Sequence, residues 1–184
     1  DASGSMLKRM DGQRRIDIAK AAIRRAVEET LPAGMPLALR IYGHKEAGSC
    51  RTDLEIPLSP LEKADFLDRL APIEAINLAR TPIAASLAAV SADLGGSEGR
   101  RLVVLLTDGE ETCDGDPAAE IEKLRDSGFD VRINIVGFAI DNVELKNEFA
   151  EWARLGGGEY LDAGASESLG DAMERALQVP FTIV

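Results

Sequence analysis

Hydrophobic and polar positions along this chain switch between two periods. Over 14–30, Ile16, Ala19, Ile23, Ala26 and Val27 recur close to the i, i+3, i+4, i+7 spacing, while Arg14, Arg15, Lys20, Arg24 and Arg25 fall on the outward side. That spacing predicts an amphipathic helix. After the breaker at 31–34 (LPAG), the run 36–42 sets Leu37, Leu39 and Ile41 against Ala38, Arg40 and Tyr42. This two-residue period predicts a strand with one apolar face. A shorter strand is predicted at 53–58. Its Pro57 has no N–H for a ladder, which assigns the segment to a sheet edge. Ser59-Pro60 reads as the start of a helix reaching about Leu70, and Thr81-Pro82 as the start of another over 83–94.

The second half repeats the alternation. LVVLL at 102–106 is a continuous apolar run, the pattern of a strand covered on both faces. A helix over 117–127 with Gly128 at its C-cap, a strand at 131–136, a helix over 143–155 closed by Gly156-Gly157-Gly158, a strand at 159–162 and a helix over 166–177 complete the series. Strand and helix in turn predict an α/β fold: a Rossmann-like, doubly wound, mostly parallel sheet with helices on both faces. Such a unit opens on a strand, whereas this chain opens on the polar loop DASGSM, so a first central strand is expected ahead of Asp1. Residues 1–178 read as one domain, and the apolar, β-prone 179–184 as the start of a linker or a following β domain.

Composition narrows the function. A chain of 184 residues, 45% hydrophobic and 29% charged, is long and apolar enough for one full core. The net charge of −11 sets a field that repels phosphate backbones and anionic lipid, so no nucleic-acid partner is expected. No stretch approaches the roughly 18 apolar residues of a membrane span, so no direct membrane insertion is expected either. Aromatic residues are only 4%, too few for a stacking surface that would hold bases or sugars.

In open α/β sheets ligands bind outside the carboxyl ends of the strands, here the loops starting at Asp1, Gly43, Ala79, Thr107 and Phe138. Asp1, Ser3 and Ser5 offer a carboxylate and two hydroxyls on alternate residues. Thr81 adds a hydroxyl at a helix start, and Asp108 a carboxylate just past LVVLL. An all-oxygen set suits a hard divalent cation, Mg²⁺ or else Mn²⁺ or Ca²⁺. With only two carboxylates in the set, the cation still wants an anionic donor, which an incoming carboxylate supplies.

DASGS, then Thr81 in RTPIAASL, then Asp108 in LLTDGEE, in that order and spacing, resemble the metal-ion-dependent adhesion site (MIDAS) of a von Willebrand factor A domain of bacterial type. The resemblance extends over essentially the whole chain and implies a mixed sheet with one antiparallel edge strand, for which 53–58 is the candidate. It implies that Ser3 and Ser5 bind the metal directly, that Thr81 binds directly or through water, and that Asp1 and Asp108 act through water. The open position would accept an Asp or Glu from a protein ligand. The implied function is a divalent-cation-dependent protein-binding module, for adhesion or assembly, and not an enzyme. Two alternatives stay open: an intracellular assembly subunit of a metal-insertion or ATPase-linked complex, and a metal-dependent phosphohydrolase. The latter would want a second Asp where Ser3 stands.

Other residues have plainer readings. Asp1, Ser3 and Ser5 also fit a turn or N-cap, and Thr81 an N-cap before Pro82. Glu110, Glu111, Asp114 and Asp116 read as a solvated acidic rim, with extension of the cation site as the alternative. Cys50 and Cys113 lie in polar loops at the same end of the sheet. The pairing favoured for them is a disulfide, which points to a secreted, periplasmic or surface-anchored protein, while two free thiols fit a cytoplasmic one. His44 is the single histidine and reads as a loop residue, although a Cys50–His44 nucleophile is compatible with the sequence. No nucleophile elbow, G-x-x-x-x-G-K-[ST] or G-x-G-x-x-G is present.

Overall fold

The computed structural model describes residues 1–95, 99–128 and 130–178. The terminal segment 179–184, read above as a linker or the start of a β domain, lies outside the described residues. A 3₁₀ turn at Gly4–Leu7 leads into a small antiparallel hairpin, β1 (Arg9–Met10) and β2 (Gln13–Arg14). Its corner is Asp11-Gly12, both with positive φ (51° and 82°), the combination a two-residue I′ turn requires.

Helix α1 (Arg15–Arg25) follows directly and continues as a π-helical turn at Ala26–Thr30. Next come β3 (Pro36–Tyr42), β4 (Thr52–Pro60) and α2 (Lys63–Leu70). Two short helices, α3 (Ile83–Ala88) and α4 (Val90–Asp93), occupy the region expected to hold one helix. The chain then alternates: β5 (Arg101–Thr107), α5 (Pro117–Asp126), β6 (Val131–Phe138), α6 (Val143–Leu155), β7 (Tyr160–Ala163) and α7 (Ser166–Leu177).

Strands β5, β6 and β7 form a parallel sheet in that order, and β4 pairs antiparallel with β3 as the predicted edge strand. Ser59-Pro60 does not start a helix. It extends β4, where Ser59 pairs with Leu37 and Pro60 with Pro36. The register slips between Leu37 and Leu39, opposite Pro57, so the proline sits where the ladder asks for no donor. A second slip leaves Glu55 between the paired Leu54 and Ile56.

No described strand lies between β3 and β5. At that point the main-chain nitrogen of Asp1 donates to Leu106 O at 3.3 Å and the Ala2 amide to Tyr42 O at 2.9 Å. The start of the chain is thus held between the C-terminal ends of the two strands. Because β5 is paired on one side only among the described residues, its Leu102, Val103 and Val104 are half-buried, and β6 is instead the most enclosed strand.

Side-chain alternation splits the core into layers. Val104 and Leu106 of β5, with Val136 and Phe138 of β6, face α1 and α7 through Ile16, Ala19, Leu169 and Met173. Val103, Leu105, Ile133 and Ile135 face α3, α5 and α6 through Ile83, Ile121, Phe149 and Trp152. A third cluster packs α2 onto β4 through Phe66, Leu67, Leu70 and Ile56. Helices therefore cover both faces, as a doubly wound fold requires.

The polar side chain of Asn134 is buried in this core. Asn134 of β6 donates to Ala176 O of α7 at 2.7 Å and accepts from the Glu159 amide at 2.9 Å, tying the last helix and the entry to β7 to the central strand. We expect Asn134→Leu to strand the buried Ala176 carbonyl and the part-buried Glu159 N–H, at a cost of about 1–3 kcal/mol. Guanidinium unfolding of the variant beside the wild type measures this.

Candidate functional site

The loop of residues 1–7 owes its shape to two buried apolar anchors and one carboxylate. Ala2 and Met6 are wholly buried in the α1–α7 layer, which turns the residues between them toward the sheet end. The Asp1 carboxylate accepts from the Ser3 amide at 2.7 Å through Oδ1. Through Oδ2 it accepts from Thr107 Oγ1 at 2.7 Å and the Asp108 amide at 3.3 Å. It thereby fastens the first loop to the end of β5. Ser3 Oγ lies 3.0 Å from Ser5 Oγ, and Ser5 Oγ donates to Asp108 Oδ1 in a short hydrogen bond. A hydroxyl carries one proton; Ser5 gives its proton to Asp108, so Ser3 is the donor to Ser5.

Four of the five predicted residues, Asp1, Ser3, Ser5 and Asp108, thus form one hydrogen-bonded row. Thr81 is brought alongside through the backbone. Gly4 N donates to Ala79 O at 3.1 Å, Thr81 N donates to Thr112 Oγ1 at 2.7 Å, and Thr112 N returns a bond to Thr81 O at 3.1 Å. The Thr81 hydroxyl itself has no hydrogen-bond partner among the described residues, and Thr81 does not cap α3. Its burial without such a role removes the N-cap reading.

The donor set fits a hard cation. Ser5 sends its proton away to Asp108 and the Thr81 hydroxyl is uncommitted, so hydroxyl lone pairs remain available, and every donor is oxygen. The Tyr42 hydroxyl is buried beside Thr107, and burial pushes its ionisation well up, so it stays neutral.

Residues that sequence reasoning passed over complete the site. Thr107 is fully buried and aims its hydroxyl at Asp1. Arg15, predicted to face outward, turns inward. Its Nη1 donates to Asp108 Oδ2 at 2.8 Å and its Nη2 to Ala139 O at 3.4 Å. Gly43, with φ +80°, passes so close to the first loop that a Cβ would lie 2.5 Å from Ser3 N and 2.6 Å from Ala2 C. A glycine opening the loop after β3 was the only hint of this in the sequence.

Half of the acidic run after Asp108 is structural. Glu111 accepts from the Ala84 amide at the start of α3 at 2.7 Å and from the Cys113 amide at 2.6 Å. Asp116 caps α5 through the Ala119 amide at 3.0 Å. Glu110 and Asp114 are exposed and line, with Glu148 and Trp152, a cleft of about 520 Å³.

Cys50 and Cys113 are bonded, with Cα atoms 5.8 Å apart, which joins the loop after β3 to the loop after β5. The bond also leaves Cys50 without a thiol, so a Cys50–His44 nucleophile is ruled out. His44 Nε2 instead meets Glu55 Oε1 at 2.9 Å. His44, Asp53 and Glu55 converge as a metal-ligating trio would, but Lys45 pairs with Glu55, and Arg51 Nε bonds Asp53 at 2.7 Å. The Lys45 and His44 bonds hold the Glu55 carboxyl below its ordinary value, as an ion-pair network does.

The architecture and this cluster define an open α/β domain with an oxygen-donor site at the C-terminal edge of its sheet. Residues 1–179 match the sequence profile of the von Willebrand factor type A domain, and the chain belongs to that family. The Bacillus subtilis (strain 168) protein YwmD is 40% identical over 188 residues, covering 97% of this chain and 82% of its own length. Among solved structures, the fold is shared with an aerotolerance-related membrane protein from Bacteroides fragilis NCTC 9343 carrying multiple mutations to serine. That match has a TM-score of 0.70 at 21% identity and covers 96% of this chain and 94% of the other. Proximal thread matrix protein 1 from the mussel byssus, in a structure with a zinc-occupied MIDAS motif, gives a TM-score of 0.71 at 17% identity. It covers 95% of this chain and 43% of the mussel chain.

Two outcomes follow. Gly43→Ala combines a disfavoured positive φ with a contact too close for a methyl group, and is expected to destabilise the protein by about 2–4 kcal/mol, read by urea unfolding. Reduction of the disulfide, which spans a separation of 63 residues, is expected to cost about 4 kcal/mol on chain-entropy grounds. Comparing denaturation midpoints with and without a dithiol reductant measures that loss.

Proposed function

We propose that this domain is a divalent-cation-dependent protein-binding module. Ser3, Ser5 and Thr81 would hold the cation, with Mg²⁺ the first candidate and Mn²⁺ or Ca²⁺ the others. Asp1 and Asp108 orient these hydroxyls, and Asp108 draws the Ser5 proton away so that the oxygen's lone pairs face the site. When bound, the cation supplies an electrophilic position that an Asp or Glu carboxylate of a protein partner completes. The observation that carries this reading is the part-buried row of oxygens Ser3, Ser5 and Asp108, joined from two loops far apart in the chain.

The same reading accounts for how an acidic protein takes an acidic ligand, because the contact passes through a cation. The Cys50–Cys113 bond supports an extracytoplasmic setting, secreted, periplasmic or surface-anchored, over a reduced intracellular assembly subunit. No helix among the described residues is long and apolar enough to cross a membrane. A role in binding and not in turnover agrees with Ser3 standing where a phosphohydrolase of the aspartate type would need a second carboxylate.

Calorimetric titration of Mg²⁺, Mn²⁺ and Ca²⁺ into the chain, beside Ser3→Ala and Ser5→Ala, tests this. Saturable one-site binding in the wild type, weakened at least about 10- to 100-fold in each variant, is the expected result. Absence of binding in the wild type, or equal binding in all three proteins, overturns the reading.

A further inference from the structure

Arg15 stands out as a cation at the wrong end of its helix. It is the first residue of α1, where the aligned peptide dipoles favour negative charge, and Arg24 and Arg25 already occupy the end that favours positive charge. Its side chain is only 14% exposed, and its Nε has no partner. Neighbouring Arg14, by contrast, lies at the surface and is satisfied by Asp17 and Glu74 at 2.8 and 2.7 Å. A buried guanidinium at a helix N-terminus breaks a local rule, and such breaks concentrate at functional sites.

What holds Arg15 there is Asp108, whose side chain has no exposure at all. The two oxygens of that carboxylate divide their work. Oδ1 takes the Ser5 hydroxyl and Oδ2 takes Arg15 Nη1. Asp1, by contrast, accepts only from neutral groups, namely the Ser3 and Asp108 amides and the Thr107 hydroxyl. Of the two carboxylates facing the hydroxyl row, one keeps its full charge and the other is balanced by a guanidinium.

We propose that Arg15 is a specificity-determining residue that weakens cation binding by neutralising Asp108 from behind. This rests on the cation-binding function proposed above. The guanidinium comes from α1 and takes the Asp108 oxygen that Ser5 does not, so it lowers the negative potential at the hydroxyls without displacing Ser5. In a desolvated site a fixed positive charge acts on a divalent ion far more strongly than at the surface. Arg15 therefore keeps affinity for the free cation low.

The test is the affinity for Mn²⁺ of the wild type, Arg15→Lys and Arg15→Met, by calorimetry and by loss of the free-Mn²⁺ electron paramagnetic resonance signal. Arg15→Met is expected to bind at least tenfold more tightly than wild type, and Arg15→Lys within about threefold of it. Thermal melts give an independent readout. Without metal, Arg15→Met should melt below wild type, since Asp108 loses its partner, and Mn²⁺ should raise its midpoint by more than it raises that of wild type. Should Arg15→Met fail to fold, Arg15→Gln, which keeps a donor toward Oδ2 without the charge, takes its place. If wild type binds Mn²⁺ and a folded, uncharged variant binds no more tightly, this inference fails and the cation site stands. If neither protein binds, the cation reading fails and this one with it.

Discussion

The carboxylate of Asp1 is the contact on which the rest of the site depends. Its two oxygens take the Ser3 amide, the Thr107 hydroxyl and the Asp108 amide, so a single side chain fixes both the turn of the first loop and the end of β5. A carboxylate that accepts several well-placed hydrogen bonds resists displacement, because each donor would otherwise be left unpaired where water is scarce. With that carboxylate in place, Ser3 and Ser5 can face only one way, and Asp108 meets Ser5 without any further ordering. Ala2 and Met6 secure the same loop from below by burial.

Around this anchor the neighbouring loops brace one another through the backbone more than through side chains. Gly4 binds the Ala79 carbonyl, Thr112 binds Thr81 through both its amide and its hydroxyl, and Glu111 satisfies the Ala84 and Cys113 amides. The disulfide then joins the loop after β3 to the same framework. The acidic residues that follow Asp108 are for this reason less available than their number suggests. Glu111 and Asp116 are committed to N–H groups, which leaves Glu110 and Asp114 exposed at the rim.

Much of this was legible in the sequence, because periodicity reports burial. The helices at Val143–Leu155 and Ser166–Leu177 and the strand Pro36–Tyr42 have the expected bounds, each with a clear apolar face and a clear stop. That the loops carrying Asp1, Ser3, Ser5, Thr81 and Asp108 converge was legible because each lies at the end or the start of a predicted element. Local signals failed where tertiary pairing overrode them. Ser59-Pro60 resembles a helix start, yet Leu37 and Pro36 recruit it into β4. The Asp11-Gly12 corner carried the ordinary hairpin signal, but strands of two residues leave no periodicity to detect. Arg15 shares a charged run with Arg14, and only a carboxylate 93 residues away distinguishes one from the other. Gly43 is likewise defined by the approach of Ser3, which no local pattern encodes.

Charge acts on two length scales here, and they point in opposite directions. The chain as a whole carries −11, a field that repels an acidic partner at distance. At physiological ionic strength that field decays over about 8 Å, so it governs approach and not contact. At contact only the local groups count: the Asp1 carboxylate, the Asp108 carboxylate and the Arg15 guanidinium, a sum one unit short of neutral. A divalent ion set among them leaves a surplus of one positive charge in a poorly solvated place. A site balanced in that way needs an anionic donor to complete it more than two unopposed carboxylates would. On the proposed function, the acidity of the surface and the restraint at the site thus serve different steps: the first slows non-specific encounter with acidic surfaces, and the second makes the contact depend on a carboxylate.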